Sequence, residues 1–305
     1  MPEPTAAEVP RFDLQSHSTR SDGALEPAAV IAAAARAGVR LLALTDHDTL
    51  AGVPEALRAG VEHGVIVVPA IEISAIDDGG ANGTARELHI LGYLVDHTDP
   101  DFTATLAGFL ADREQRTLRM AENLQNLGIQ LDQQAIDTRV RAGEPIGRPH
   151  LAEAALGHPA NAQRLAEENI DDIGSFIRAY LIEGRPAFCL RVTPTVGEAI
   201  DAIHAAGGVA IWAHPFWDVS DPEEVLVIVD RFRALGIDGV EAFYVTHTRE
   251  QTELLARRCE ELAILSTGSA DFHGPENRLF SRFLAFDTHG LRPNLGPIAT
   301  PAQTP

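Results

Sequence analysis

The sequence predicts an α/β fold: a barrel of mainly parallel strands with a helical insertion. Three observations predict it. About seven apolar, strand-like runs are separated mostly by helical patterns, the alternation that builds a parallel sheet with helices outside it. No glycine-rich dinucleotide fingerprint follows any of these runs, which favours a barrel over an open doubly wound sheet. Between about Asp101 and Arg185 strand signals cease and only helical ones remain.

Taken in order, RFDLQSH is a strand, and EPAAVIAAAARAG is a helix with Pro27 in its first turn and Gly38 as C-cap. VRLLALTDHD reads as a buried strand with a polar end, PEALRAGVEHG as a helix, and VIVVPAIEIS and RELHILGYLVD as two further strands. The insertion opens with one long helix, FTATLAGFLADREQRTLRMAENLQNLG, and continues through shorter helical segments at PHLAEAAL and IGSFIRAYLIEG. The alternation then resumes: helix TVGEAIDAIHAAGG, strand VAIWAHPF, helix DPEEVLVIVDRFRALG, strand IDGVEAFY, helix TREQTELLARRCEE and strand LAILSTGSADFH. The expected organisation is a disordered lead (1–10), a first barrel half (11–100), the insertion (101–185), a second barrel half (186–290) and a flexible tail (291–305).

Composition narrows the function classes. Apolar residues make up 45% of the 305 residues, a globular share, and no apolar run is long enough to span a bilayer. The start MPEPTAAEVP has neither a basic nor an apolar segment, so a soluble, cytoplasmic protein without a signal peptide is expected. Cys189 and Cys259 lie in no metal or redox spacing and are expected to be buried thiols. A formal net charge of −20 argues against duplex DNA as a partner, because that needs a positive surface. All 24 residues counted as lysine or arginine are arginines, which excludes a Schiff-base lysine and a phosphate-loop lysine.

The ionisable residues gather where strands end. His17 and Asp22 follow the first strand, Thr45–Asp48 (TDHD) end the second, Glu72 ends the third and His89 lies in the fourth. His214 ends the fifth, and Asp271 and His273 end the last. In a parallel barrel these ends converge on one rim, where active sites are built. Each residue alone has a plain structural reading: Asp46 and Asp48 as helix caps, His89 as a core histidine, His214 as a strand terminator. Together they would bury much uncompensated polarity, a cost that metal ions remove. His63, His97, His158, His204, His247 and His289 are assigned no ligand role.

The segments DLQSHSTRSDG, ALTDHDT, PAIEIS, ELHILGY, AHP and GSADFHG, with IGRPHLAEAAL in the insertion, resemble the PHP-domain phosphoesterases. The likeness is greatest to the branch that dephosphorylates nucleoside 3',5'-bisphosphates or trims the 5' end of short RNA. The resemblance implies a distorted seven-stranded (β/α) barrel with three divalent metals. One would be held by the Gln15 position, His17, Glu72 and Asp271. A second would take Glu72 as a bridge with His89 and His214, and a third Asp22, His47 and His273. The family has histidine where this chain has Gln15, and an amide oxygen binds a transition metal more weakly than imidazole. Gln15 as ligand, water in its place, and a weakened first metal are three open outcomes.

As for mechanism, the resemblance implies a hydroxide formed from metal-bridging water that attacks phosphorus in line, with no catalytic side chain beyond it. Two or three divalent ions per chain are expected, manganese first, with magnesium, zinc or iron as alternatives. Arg148 and His150 in GRPH are candidates to bind a second phosphate, against a reading of RPH as a helix start. Asp48 is a candidate to orient a ligand histidine. Phe216 and Trp217, directly after His214, are candidates to stack on a base. Two other functions fit: histidinol-phosphate phosphatase, and a non-catalytic metal or nucleotide sensor suggested by Gln15.

Overall fold

The computed structural model describes residues 11–80, 85–142, 146–190 and 193–301. The expected disordered lead therefore lies outside the described residues. The chain divides into two compact units. One is Met1–Ala75 with Leu88–Thr105 and Pro194–Pro305, and the other is Ile76–Glu87 with Leu106–Thr193.

The elements of the first part are β1 (Phe12–Asp13), α1 (Pro27–Ala37), β2 (Leu41–Leu44), α2 (Val53–His63), β3 (Ile66–Asp77) and β4 (Arg86–Tyr93). The helices α3 (Pro100–Asn126), α4 (Gln133–Ala142), α5 (Arg148–Leu156), α6 (Ala162–Glu167) and α7 (Ile173–Tyr180) follow. The chain continues through α8 (Val196–Ala205), β5 (Val209–Trp212), the single turn α9 (Pro215–Asp218), α10 (Pro222–Leu235), β6 (Gly239–Tyr244), α11 (Arg249–Leu262) and β7 (Leu265–Ser269). The seven strands lie side by side in chain order. The two edges also meet. The Leu14 N–H donates to the Gly268 carbonyl (3.2 Å), Phe272 N–H to Gln15 (3.3 Å) and His17 N–H to Phe272 (2.8 Å). The sheet thus becomes a nearly closed seven-stranded barrel.

Side-chain alternation shows why the strands curl this way. Leu41, Ala43, Val68, Ala70, Leu91, Tyr93 and Ile211 share one buried cluster with Leu14 and Ile298. Leu42, Leu44 and Val67, which alternate with them along β2 and β3, join Val30, Ile31 and Ala34 of α1 and Ala56 and Ala59 of α2 in another. A period of two with both faces apolar is what a strand needs when one face lines a barrel and the other lies under helices. The local signals behave as chemistry dictates. Pro27 opens α1, and Gly38 closes it at φ 92° with its N–H on the carbonyls of Ala34 and Ala35. Thr195 with Glu198 and Thr248 with Gln251 form reciprocal caps at the starts of α8 and α11.

The parallel reading needs one correction. β4 runs antiparallel to β5, with Ile90 opposite Trp212 and Tyr93 opposite Val209, whereas β1–β2, β2–β3, β5–β6 and β6–β7 are parallel. β4 follows β3 after residues 78–85 alone, and a parallel return requires a crossover of a dozen or more residues. The reversal brings His89, in the N-terminal half of β4, to the rim that the other strands reach with their C-terminal ends. Glu72 also lies inside its strand, because β3 runs on to Asp77.

In the second unit the helices α3 to α7 enclose a core of Met120, Leu124, Ile129, Leu151, Phe176 and Leu181. Full burial of Phe176 alone contributes about 2–3 kcal/mol. The Asp172 carboxylate accepts the Ser175 N–H at 2.6 Å and caps α7. Two smaller expectations are also corrected. Residues up to 301 do not trail freely: Asn294 bridges to Ser266 and Ile298 is fully buried in the barrel core. Cys259 is buried but Cys189 is only half-buried. Among the described residues no helix is long and apolar enough to cross a membrane.

Candidate metal centre

The stretch after β1 is pinned before it bends. Ser16 Oγ donates to the Ala43 carbonyl (2.8 Å), and the Thr45 N–H donates to the Ser16 carbonyl (2.8 Å). His17 follows, fully buried. The loop then turns back so tightly that a Cβ on Gly23 would stand 2.2 Å from the His17 carbonyl oxygen, so glycine is required there. Asp46 holds this loop in place. Its carboxylate accepts Ser18 N–H (2.7 Å), Ser18 Oγ (2.7 Å) and Ser21 Oγ (2.8 Å). Asp22 is thereby set beside three imidazoles, its oxygens 3.6 Å from His17 Nδ1, 3.7 Å from His47 Nε2 and 3.6 Å from His273 Nε2.

Glu72 is the hub. Its Oε1 lies 2.7 Å from His89 Nδ1 and 3.3 Å from His214 Nε2, and its Oε2 lies 3.0 Å from His17 Nε2 and 3.8 Å from His47 Nδ1. His17 Nε2 is also 3.1 Å from Asp271 Oδ1. Three groups converge closely enough to share a cation, with one ligand atom per residue within 4.8 Å of the others: His17, Asp22, His47 and His273; His47, Glu72 and His89; and His17, Glu72 and Asp271. His214 touches both Glu72 and His89, its Nε2 being 3.3 Å from His89 Nδ1. All eight of these side chains belong to the first unit.

The donor set fits divalent ions. His17 Nε2 and Asp271 Oδ1 are buried and close to their neighbours, yet neither makes a well-directed hydrogen bond among the described residues. A buried imidazole nitrogen and a carboxylate oxygen that converge at about 3 Å with poor hydrogen-bond direction are atoms that a shared cation can draw on. Burial alone would lower the pKa of both His17 and His214. It is outweighed at His17 by Asp271 and Glu72, which hold the imidazole well above its usual value, and at His214 by Glu72, which pushes it up to about 9. Burial also works to raise Asp271, and the neighbouring His273 and His17 overcome it and bring the carboxyl down to about 2. His273 Nδ1 lies 2.8 Å from the Asp271 carbonyl. A carbonyl only accepts, so that nitrogen carries a hydrogen, and Nε2 is the atom that faces Asp22 at 3.6 Å.

Three supporting residues escaped the sequence reading. Asp46 belongs to the polar cluster TDHD but receives no role of its own from the sequence beyond a reading as helix cap, and α2 begins later, with Gly52 at its cap position. Glu241 is fully buried. It accepts the His214 N–H (3.0 Å) and Ser269 Oγ (2.6 Å), and burial pushes its carboxyl up to about 8. His214 itself sits at φ 30°, a conformation that a β-unbranched residue keeps only when its surroundings hold it. Tyr244 Oη donates to Asp271 Oδ2 at 2.8 Å. Glu241 and Tyr244 are three apart on one strand, so strict alternation would turn them to opposite faces. A register shift between Glu241 and Phe243 in the pairing of β6 with β7 turns both toward the site. A carboxylate in the otherwise apolar run VEAFY was the one signal available.

The other candidates fall as follows. Gln15 is fully buried, with Nε2 donating to Glu72 Oε2 (2.9 Å) and Oε1 accepting from Ser269 Oγ (3.3 Å). Asp48 accepts the Ser74 N–H at 3.0 Å and ties the end of β2 to β3. His247 is buried 5.3 Å from the Tyr244 ring, its Nδ1 facing the Ala242 carbonyl at 3.2 Å, and burial lowers its pKa to about 4. Arg148 and His150 belong to the second unit. Arg148 pairs with Glu87 at 3.3 Å, beside the two-pronged contact of Arg116 with the same carboxylate. His150 Nδ1 accepts the Gly147 N–H at the start of α5.

A nearly closed barrel with such a rim is the setting of a metal-dependent phosphoesterase, and comparison with known proteins places the chain in that class. The family model described as PHP domain matches residues 13–180. A 5'-3' exoribonuclease of Haemophilus influenzae is 34% identical over 87% of this chain and 90% of its own. A 3',5'-nucleoside bisphosphate phosphatase of Chromobacterium violaceum is 30% identical over 87% of each. The solved structure of a protein of Bifidobacterium adolescentis, described as a metal-dependent phosphoesterase, is similar at TM-score 0.72 and 27% identity, over 92% of this chain and 93% of that one. The chain belongs to the PHP-domain family, and it is a hydrolase of phosphoric esters.

Proposed function

We propose that the protein hydrolyses terminal phosphate esters of nucleotides, either a nucleoside 3',5'-bisphosphate or the 5' end of short RNA. The observation that carries this reading is the placing of Glu72 against His17, His89 and His214 within 3.3 Å. The names of the two relatives above supply the substrate class. His17, Asp22, His47, Glu72, His89, His214, Asp271 and His273 hold two or three divalent ions, manganese first, with Gln15 beside Glu72. Such ions polarise phosphoryl oxygens and lower the pKa of water at neutral pH.

The chain's own residues do the rest. Glu241 keeps the His214 backbone in its left-handed turn, and Tyr244 fixes the orientation of Asp271. Asp46 holds the loop that presents Asp22. The local positive charge offsets an anionic substrate in a protein of net charge −20. Asp48 supports the rim through Ser74. We place the protein in the cytoplasm, acting on small phosphate substrates.

Gln15 favours one second reading, a metal or nucleotide sensor without turnover; histidinol phosphate is the alternative small substrate. Phosphate release with added manganese, from adenosine 3',5'-bisphosphate, 5'-phosphorylated short RNA and histidinol phosphate in parallel, tests all three. Turnover confined to the nucleotide substrates is expected. Turnover of histidinol phosphate alone, or none with metal bound, would overturn the proposal.

A further inference from the structure

We propose that Trp217 and Phe280 form a corner that stacks on the substrate's base and makes the enzyme tolerant of base identity. The inference rests on the nucleotide reading above and extends it to the part of the substrate that the metals do not touch.

The chain has two tryptophans. Trp212 is fully buried in the barrel wall, whereas Trp217 is 50% exposed. Among the described residues it is the one aromatic ring among the exposed large hydrophobic side chains. Trp217 is tied to the metal centre from two directions. It lies on α9, three residues after His214, and its N–H donates to the His214 carbonyl at 2.8 Å. Its ring also stands 5.6 Å from that of Phe280, which stands 5.5 Å from the His273 imidazole and 6.2 Å from Tyr244. The His273 N–H donates to the Phe280 carbonyl at 2.9 Å. An unbroken run of rings therefore leads from a proposed metal ligand to exposed indole.

The pair is inclined at 59°, so it is a corner and not a slot. One planar group rests its face on the indole and meets Phe280 with its edge, the offset and edge-to-face contacts that aromatic rings favour. Phe216 is excluded from this role, because it turns to His247 at 5.5 Å and 90°. Every base has a π-face, so stacking without hydrogen-bond readout binds all of them. The platform also explains how an acidic protein retains a nucleotide beyond its phosphates.

The test uses the full chain with manganese. Emission of the half-exposed tryptophan should be quenched by adenosine 3',5'-bisphosphate in the wild type and not in Trp217→Phe, since Trp212 is sealed from solvent. Trp217→Ala and Phe280→Ala should raise KM for that substrate roughly tenfold, with kcat nearly unchanged. Trp217→Phe should recover most of the loss. The inhibition constant of inorganic phosphate, which has no base, should not move, and uridine 3',5'-bisphosphate should have a KM within about fivefold of the adenosine compound. An unchanged KM in both alanine variants would overturn the inference, as would a parallel loss of phosphate affinity, which marks damage to the metal centre. Quenching without turnover in the wild type would sink the nucleotide-substrate reading and leave the stacking corner standing. Neither quenching nor turnover would remove both.

Discussion

The two flanks of His17 differ in kind. On the Nδ1 side, Asp22 is surrounded by three imidazoles at 3.6–3.7 Å, from His17, His47 and His273, and each ligand atom can be ionic or a lone-pair donor. On the Nε2 side stand two carboxylates, Glu72 and Asp271, and the further neighbour is Gln15, a neutral amide. A carboxylate only accepts hydrogen bonds, so the amide must show Glu72 its NH₂ and turn its oxygen to Ser269. The first flank spends all its polar atoms on attracting a cation. The second uses one side chain to orient its own hub. Two sites that share a histidine can therefore differ in affinity although each retains a carboxylate.

The largest effect expected is from Glu72→Ala, which removes the carboxylate common to two of the three ligand groups. Phosphate release should fall by about 10³-fold or more, and metal content by mass spectrometry should fall by more than half. The metal-free variant should also lose about 3–5 kcal/mol in urea unfolding, because buried imidazoles lose their partner. Wild-type metal content in this variant would end the hub argument.

The supports break the flanks one at a time. Glu241→Leu frees the His214 backbone and should weaken metal binding on the Glu72 flank by about 10–100-fold, leaving ions on the Asp22 flank. Asp46→Ala, which releases the Ser18–Ser21 loop, should do the reverse. Titration with manganese followed by electron paramagnetic resonance separates the two, and equal loss at every site in both variants would erase the distinction.

Proton linkage sharpens it further. His17 lies well above its usual pKa and His214 at about 9, so the metal-free protein carries protons on both at neutral pH. A cation needs those lone pairs, so loading releases protons. Affinity should rise with pH by about tenfold per unit for each proton displaced, and the share that comes from His214 should flatten above about 9. Calorimetric titration in buffers of different ionisation enthalpy counts the protons, and a pH-independent affinity would contradict the arrangement. The smallest change expected is from Gln15→His, which supplies an imidazole to the poorer flank. Metal content per chain and turnover should both rise. A loss of both would show that the amide bond to Glu72 matters more than a further ligand.

Much of this was legible in the sequence because strand ends are marked chemically. Polar residues that abruptly close apolar runs, as in ALTDHD, AHP and GSADFH, placed His47, His214 and Asp271 where the barrel brings them. The reversal of β4 was missed because single-strand periodicity carries no direction; the short link from β3 was the usable clue. Glu241 and Tyr244 were missed because they lie inside a strand that reads as core, and what turns them inward is a backbone irregularity with no composition of its own. The role of Asp46 was not legible because a carboxylate after a strand looks the same whether it caps the next helix or clamps an earlier loop.

The extra residue in β6 has an evolutionary corollary. Removing Ala242 would leave every side chain of the strand chemically intact, yet would swing either the acid or the phenol out to the helices. Homologous chains that keep the reaction should therefore tolerate exchange of that alanine for another small residue far more readily than its deletion. An acid and a tyrosine three places apart at this point in the chain become a spacing by which such enzymes can be searched for.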